Sequence, residues 1–359
     1  MKTKNRYGCF CSHNGLFGAS EKTRTFDLLI TNQLHYRLCY TSKYLTSIFY
    51  HLMLDLSSGW IKIIQKEEDT MNLCDVKTIK HIMNVFEIKF RKEFGQNFLI
   101  NRTVVEDIAD NCADSTDTSI LEIGPGIGPL TTELALRYRD VVALEIDHGL
   151  IPVLKYTLGE FTNVTVYNED VMKADLDALL KPYFDKGRVS VCANLPYYIT
   201  TPILMKLLEC GLPFDYITIM IQSEVADRLC AKAGSSNYGA ITAVLAYYGV
   251  AEKLFTVSAG NFMPAPKVNS TVVRIKLHKN KPYAPEDEKV FFRTIKGAFE
   301  QRRKTLPNAL AAAFGELSKD EITAAIVSCG HSADIRGERL GVAEFVALSD
   351  ELNRLIKAK

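Results

Sequence analysis

The chain has 359 residues, with 43 Lys+Arg against 42 Asp+Glu, and 47% of its residues are hydrophobic. That length allows one large domain or two ordinary ones, and that hydrophobic fraction excludes wholesale disorder. A net charge of +1 excludes a uniformly basic nucleic-acid wrapper but leaves room for a locally basic face.

The charge is unevenly spread. Residues 1–70 carry nine Lys/Arg and six Asp/Glu, whereas residues 71–359 carry 34 and 36. The leader holds Trp60, the single Trp, and three of the nine Cys, and its apolar residues keep neither a helical nor an alternating period. Its apolar stretch, residues 45–64, is broken by His51, Asp55, Ser57, Ser58, Gly59 and Lys62. It lacks the ordered charged start, apolar core and cleavage site of a signal peptide. Residues 19–42 (ASEKTRTFDLLITNQLHYRLCYTS) resemble the product of a bacterial tRNA gene translated in an open frame. Residues 1–70 are therefore expected to be a non-native or disordered leader, with a natural start at Met71; a targeting or RNA-binding extension is the alternative. The nine Cys include one close pair, Cys9 and Cys11, and no metal-ligand spacing. This predicts reduced thiols in the cytoplasm, with neither a disulfide framework nor a metal site. With no run of ~18 apolar residues, no membrane association is expected.

From residue 119 short apolar strands alternate with amphipathic helices. Strands are predicted at 119–124, 140–147, 163–167, 189–193 and 216–221, with helices at 130–138 and 148–158. Such alternation predicts a mostly parallel sheet covered on both faces. Residues 271–277 (TVVRIKL) alternate cleanly and are expected to close the sheet as a late antiparallel strand. Beyond Pro285 only helices are predicted, at 286–299, 304–314, 319–328 and 342–356. The Lys279–Pro285 stretch marks the boundary between an α/β domain, 71–280, and a small all-helical domain, 281–359.

The strand ends carry the chemistry. After the first strand comes Leu121-Glu122-Ile123-Gly124-Pro125-Gly126-Ile127-Gly128, a turn whose glycines let the backbone approach a nucleotide-like ligand. Glu145 ends the second strand, 21 residues after Gly124, where a carboxylate can bind ribose hydroxyls. A plain tight turn or a dinucleotide oxidoreductase would also fit these two features. The G-P-G-I-G spacing, with Glu122 before it, looks like the cofactor loop of S-adenosylmethionine-dependent methyltransferases. The third strand ends in Asn168-Glu169-Asp170, where Asp170 can accept a hydrogen bond from an adenine amine or simply cap a turn.

The fourth strand ends in Asn194-Leu195-Pro196-Tyr197. Adenine's exocyclic amine is a poor nucleophile because its lone pair is delocalised into the ring. An Asn side-chain oxygen and a backbone carbonyl can each accept one of its hydrogens, drawing the nitrogen toward tetrahedral character. Pro196 stiffens the turn, and Tyr197 offers a face for stacking on an extruded base. The motif resembles the catalytic signature of amino-group adenine methyltransferases.

Further segments narrow the substrate. Phe94–Leu99 (FGQNFL) precedes the first strand and can fold over the cofactor, and Phe262, in Asn261–Ser270, can stack on a base opposite Tyr197. Residues 289–304 carry Lys289, Arg293, Lys296, Arg302, Arg303 and Lys304 against one acid, Glu300. Such a patch can contact phosphates or be a solvated face.

Taken together, FGQNFL, LEIGPGIGPLT, ALEID, NED, NLPYYIT, FMPAPKVNS, FEQRRKTLPNAL and RGERLGVAEFVAL resemble the small-subunit ribosomal RNA adenine dimethyltransferases over about residues 72–357. The resemblance implies a class I S-adenosylmethionine-dependent methyltransferase (Rossmann-like) sheet followed by a small helical rRNA-binding domain. It implies transfer of two methyl groups to each of two adjacent adenosines in the 3′-terminal hairpin of 16S rRNA within the small ribosomal subunit, with a part in subunit biogenesis. It places cofactor contacts on Asn97, Leu99, Gly124, Glu145, Asp170 and Asn194. Asn194 with the Leu195 and Pro196 backbone would hold the target amine, and Tyr197 and Phe262 would sandwich the ring. Arg302, Arg303 and Lys304 are the expected RNA contacts, no metal is expected, and the enzyme is expected to be monomeric. The rival readings are a large-subunit rRNA adenine methylase of the erythromycin-resistance type, a non-catalytic ribosome-assembly factor and, weakest, an NAD oxidoreductase.

Overall fold

The order in which the strands enter the sheet creates the site. The computed structural model describes residues 71–91 and 95–359; the readings placed on residues 1–70 and on Phe94 lie outside these. Seven strands form the main sheet: β2 (Thr118–Ile123), β3 (Asp140–Glu145), β4 (Val164–Asn168), β5 (Arg188–Asn194), β6 (Tyr216–Gln222), β7 (Gly249–Val257) and β9 (Ser270–Leu277). They lie in the order β4-β3-β2-β5-β6-β9-β7, parallel from β4 to β6 and antiparallel at both β9 pairings. The chain builds outward from β2 to β4, then returns to the other side of β2 with β5. That reversal leaves a crevice at the carboxyl ends of β2 and β5. A separate two-stranded ribbon pairs β1 (Phe98–Leu99) with β8 (Phe262–Met263).

Along β2 every residue is buried, as expected where helices cover both sheet faces. Alternate side chains still go to opposite sides. Leu121 and Ile123 join Val142, Leu144, Val191 and Ile219 under α5 (Leu176–Phe184) and α6 (Thr200–Glu209). Ile120 joins Val141, Cys192 and Met220 under α2 (Arg102–Asp110) and α3 (Pro129–Arg137). Each such aliphatic side chain contributes roughly 1.5–3 kcal/mol by leaving water. N-terminal to these, α1 (Val76–Val85) packs Ile79 and Ile82 with Phe98 and Ile127, which carries the 95–99 segment across the crevice. Beside the sheet also lie α4 (Ile151–Thr157), α7 (Ser223–Leu229) and α8 (Ala240–Tyr248).

One sequence expectation needs correction. Strand β9 does not close the sheet: β7 lies outside it, paired from Gly249 opposite Leu277 to Val257 opposite Ser270 with the register shifting by one residue between Lys253 and Phe255. Its charges hid it. Glu252 pairs with Arg274 of β9, and Lys253 pairs with Asp227, so the strand reads as polar although it is an ordinary charged edge.

Beyond Pro285, α9 (Glu288–Glu300), α10 (Leu306–Ala313), α11 (Lys319–Ser328) and α12 (Val342–Lys357) pack around Phe291, Ile295, Leu310, Phe314, Phe345 and Leu348. Val244 and Tyr247 of α8 enter that same core, and the Tyr247 hydroxyl lies 2.6 Å from Glu288 Oε1. The helices are thus welded to the sheet layer, and residues 71–359 form one compact unit.

Candidate active site

Ten residues singled out from sequence line a single cleft at the β2/β5 crevice: Asn97, Leu99, Gly124, Glu145, Asp170, Asn194, Leu195, Pro196, Tyr197 and Phe262. Its floor is the turn after β2. Gly124 and Gly126 hold φ values of +72° and +63°, a backbone that side chains strain. A Cβ at 124 would meet nothing within 4 Å, so the backbone there is open to an approaching molecule. At 126 it would stand 3.2 Å from the Phe98 ring, which holds the turn beneath the β1 ribbon.

Glu145 ends β3 at the next strand edge, 4% exposed. The Asp147 amide donates to its Oε1 at 2.8 Å, and the Gly126 amide donates to its Oε2 at 3.1 Å. Burial pushes the carboxyl up to about 7 against the pull of those two amides. Each oxygen keeps a lone pair for a hydroxyl donor. One strand further, Asp170 Oδ1 accepts the Met172 amide at 2.9 Å, so the residue caps its turn while also lining the cleft.

At the end of β5 the Asn194 Nδ2 donates toward the Asn97 backbone oxygen, 3.4 Å away. The Asn97 side chain is itself fixed, donating to the Gly95 carbonyl at 2.9 Å. The two donors that follow, the Ile199 amide and the Thr200 hydroxyl, both bond to the Pro196 carbonyl at 3.2 and 3.1 Å. The resemblance implied that the Leu195 and Pro196 backbone together hold the target amine; here the Pro196 carbonyl already accepts two bonds from its own turn. The Pro196 carbonyl thereby closes the turn into α6. Tyr197 is half-buried, with its hydroxyl 2.7 Å from Ser270 Oγ at the start of β9. Phe262 is 4% exposed; its backbone pairs with Leu99, and its side chain packs in the core beneath the ribbon.

The cleft also holds residues to which the sequence assigned no role. Glu122 of β2 is 1% exposed, its Oε2 has no hydrogen-bond partner, and burial pushes its carboxyl up to about 8. An unpaired buried carboxyl oxygen is costly and suits a site that receives a cationic or hydrogen-bond-donating ligand. Ile146 lies on the wall although 49% exposed, an apolar surface available to a flat ring. Gln96 and Tyr198 line the mouth. Periodicity could not find these residues: Glu122 breaks the run of β2, and Gln96, Ile146 and Tyr198 lie outside the helices and strands.

The basic segment lies apart from this wall, and its members differ. The Arg293 guanidinium bonds Glu316 at 2.6 and 2.8 Å and stacks on Phe314. Arg302 donates to the carbonyls of Ser236 and Tyr238 at 2.9 and 2.8 Å, tying the loop after α7 to the helical layer. Arg303 and Lys304 are exposed and carry no ion pair among the described residues. Among the described residues no group of His, Cys, Asp and Glu is placed to hold a metal, and no helix is long and apolar enough to cross a membrane.

A family model described as ribosomal RNA adenine dimethylase matches residues 87–335. A ribosomal RNA small subunit methyltransferase A of Streptococcus pneumoniae is 42% identical over 285 residues, covering 79% of this chain and 98% of the relative. One from Geobacillus thermodenitrificans is 45% identical over 281 residues, covering 77% and 96%. Among solved structures, a dimethyladenosine transferase from Plasmodium falciparum superposes with a TM-score of 0.59 at 24% identity, over 72% of this chain and 98% of its own. A 23S rRNA methyltransferase gives 0.55 at 24% identity, over 72% and 100%. The two structures share the fold of this chain, whose class I methyltransferase sheet is followed by a helical region.

Proposed function

The chain belongs to the ribosomal RNA adenine dimethylase family, and from that premise we propose that it dimethylates the exocyclic amines of two adjacent adenosines in the 3′-terminal hairpin of 16S rRNA. The methyl donor is S-adenosylmethionine, whose sulfonium supplies an already activated methyl group, so no strong general base is needed. The donor's fit rests on three features of the cleft: the open left-handed backbone at Gly124, the buried Glu145 carboxyl and the unpartnered Glu122 oxygen. In this reading Glu145 accepts the ribose hydroxyls, Asp170 accepts from the adenine amine, and Asn97 and Leu99 cover the cofactor.

The observation that carries the reading is the orientation of Asn194. With Nδ2 turned to the Asn97 carbonyl, Oδ1 is the atom left to accept a hydrogen. Together with the Leu195 carbonyl it would hold the target amine and concentrate the nitrogen lone pair on the methyl group. Tyr197, steadied through Ser270, supplies the stacking face; Phe262 closes the opposite side. Arg303 and Lys304 would contact rRNA phosphates.

The test incubates the protein with labelled S-adenosylmethionine and either undermethylated small subunits or 23S rRNA, then maps the labelled base. Label on adjacent adenosines near the 16S 3′ end is expected. Label on large-subunit rRNA would move the chain to the erythromycin-resistance type, and no label on either would leave an assembly role without catalysis.

A further inference from the structure

Gln96 sits where the cover of the cleft meets its floor, and both ends of its amide are used. Its Oε1 accepts the Arg91 backbone amide at 2.9 Å, and its Nε2 donates to Asp147 Oδ2 at 2.9 Å. Asp147 is 4% exposed and does not line the cleft. Its other oxygen, Oδ1, accepts the Gly149 amide at 3.0 Å and lies 3.3 Å from Arg91 Nη1. The Asp147 backbone amide in turn holds Glu145 Oε1 at 2.8 Å. One connected set of bonds therefore runs from the segment bearing Asn97 and Leu99 to the carboxylate that ends β3. Connected buried hydrogen bonds to a charged acceptor fix geometry more tightly than isolated exposed ones.

We propose that Gln96 and Asp147 are a positioning pair that sets the spacing between the 95–99 cover and Glu145, and so determines cofactor affinity without touching the methyl group. The proposal rests on the reading of the cleft as an S-adenosylmethionine site. Because a loosened cover still closes over saturating cofactor, the pair governs the cofactor KM rather than kcat.

The polarity of the contact supplies its test in the full chain. In Gln96→Glu two carboxylates face each other across the contact. In Asp147→Asn the oxygen must stay toward the Gly149 amide, so the new NH2 meets the Gln96 NH2. Combining the two changes restores an amide-to-carboxylate hydrogen bond with its direction reversed. Calorimetric titration with S-adenosylmethionine is expected to show each single variant binding about 10-fold more weakly and the double variant within about 3-fold of the parent. The kcat at saturating cofactor is expected to stay within about 3-fold for all three. Single variants that bind as the parent does would overturn the pair. So would a double variant no better than the product of the singles, since general loosening is not rescued by reversed polarity. A parent chain that binds no S-adenosylmethionine would instead overturn the reading of the cleft, and the pair's role with it.

Discussion

Asn194 Nδ2 and the backbone oxygen of Asn97 lie 3.4 Å apart, joining the end of β5 to a segment 97 residues earlier. The contact points one end of the Asn194 amide away from the substrate side and leaves the oxygen for it. Asn194→Ala removes that oxygen and is expected to lower kcat by about 10²–10³, as loss of one preorganised transition-state contact does. Equilibrium dialysis should show S-adenosylmethionine affinity within about 3-fold of the parent. Undiminished methyl transfer would remove Asn194 from the mechanism.

Glu145 makes a different contribution. Its two oxygens are held by the Asp147 and Gly126 amides, so the carboxylate is aimed before any ligand arrives. Glu145→Ala is expected to weaken S-adenosylmethionine binding by about 1.5–3 kcal/mol, the range for a hydrogen bond to a charged group. An unchanged Kd would refute the ribose contact.

The neighbouring carboxyl, Glu122, yields a pH prediction. Burial raises its folded pKa to about 8, above the unfolded value of 4.5, so the native state holds a proton the unfolded state has lost between those values. Stability in the absence of ligand therefore falls as pH rises from about 4.5 to about 8, and Glu145, raised to about 7, adds to the fall. Glu122→Gln removes the larger part. At pH 8 it is expected to raise stability by at least about 1 kcal/mol, or about 2–4 °C in Tm for a chain of this size. At pH 5 the two proteins should melt together; equal Tm at pH 8 would show that Glu122 is not held in an unfavourable ionised state.

What sequence could deliver here follows from what each element must do locally. Buried parallel strands such as β2 announce themselves because every residue is apolar or small, save Glu122, and their order along the chain locates the crevice. Strand β7 escaped because an edge strand is free to carry Glu252 and Lys253. The Gly124–Gly128 turn and Asn194–Tyr197 were legible because their chemistry demands particular residues at fixed spacing. Gln96 and Asp147 were not: neither has a local role, and each acquires its function only through a partner 51 residues away. The run Arg302-Arg303-Lys304 looked uniform, since nothing in its sequence shows that one guanidinium is consumed by backbone carbonyls.

Residues 71–359 contain all the described cores and every described residue that lines the cleft. A chain beginning at Met71 is therefore expected to melt cooperatively and to bind S-adenosylmethionine with a Kd within about 2-fold of the 359-residue protein; a variation that small is below about 0.5 kcal/mol. Loss of folding or of binding in that truncation would assign the first 70 residues a structural role.

The basic run holds two kinds of residue. Arg303 and Lys304 are exposed and unpaired among the described residues, as phosphate contacts should be, whereas Arg302 bridges the Ser236 and Tyr238 carbonyls to the helical layer. Replacing Arg303 and Lys304 by Ala is expected to leave Tm unchanged and to weaken binding to the small subunit. The slope of log K against log salt should fall by roughly 0.7–0.9 for each phosphate that is no longer neutralised. Arg302→Ala is expected to do the opposite, lowering Tm because two carbonyls lose a charged donor, at about 1.5–3 kcal/mol for such bonds, with little change in slope. Filter binding across a salt series, read beside thermal melts, separates the two. An unchanged slope in the double variant would leave Arg303 and Lys304 as a solvated face, and an unchanged Tm in Arg302→Ala would show that its two carbonyl bonds carry no stability.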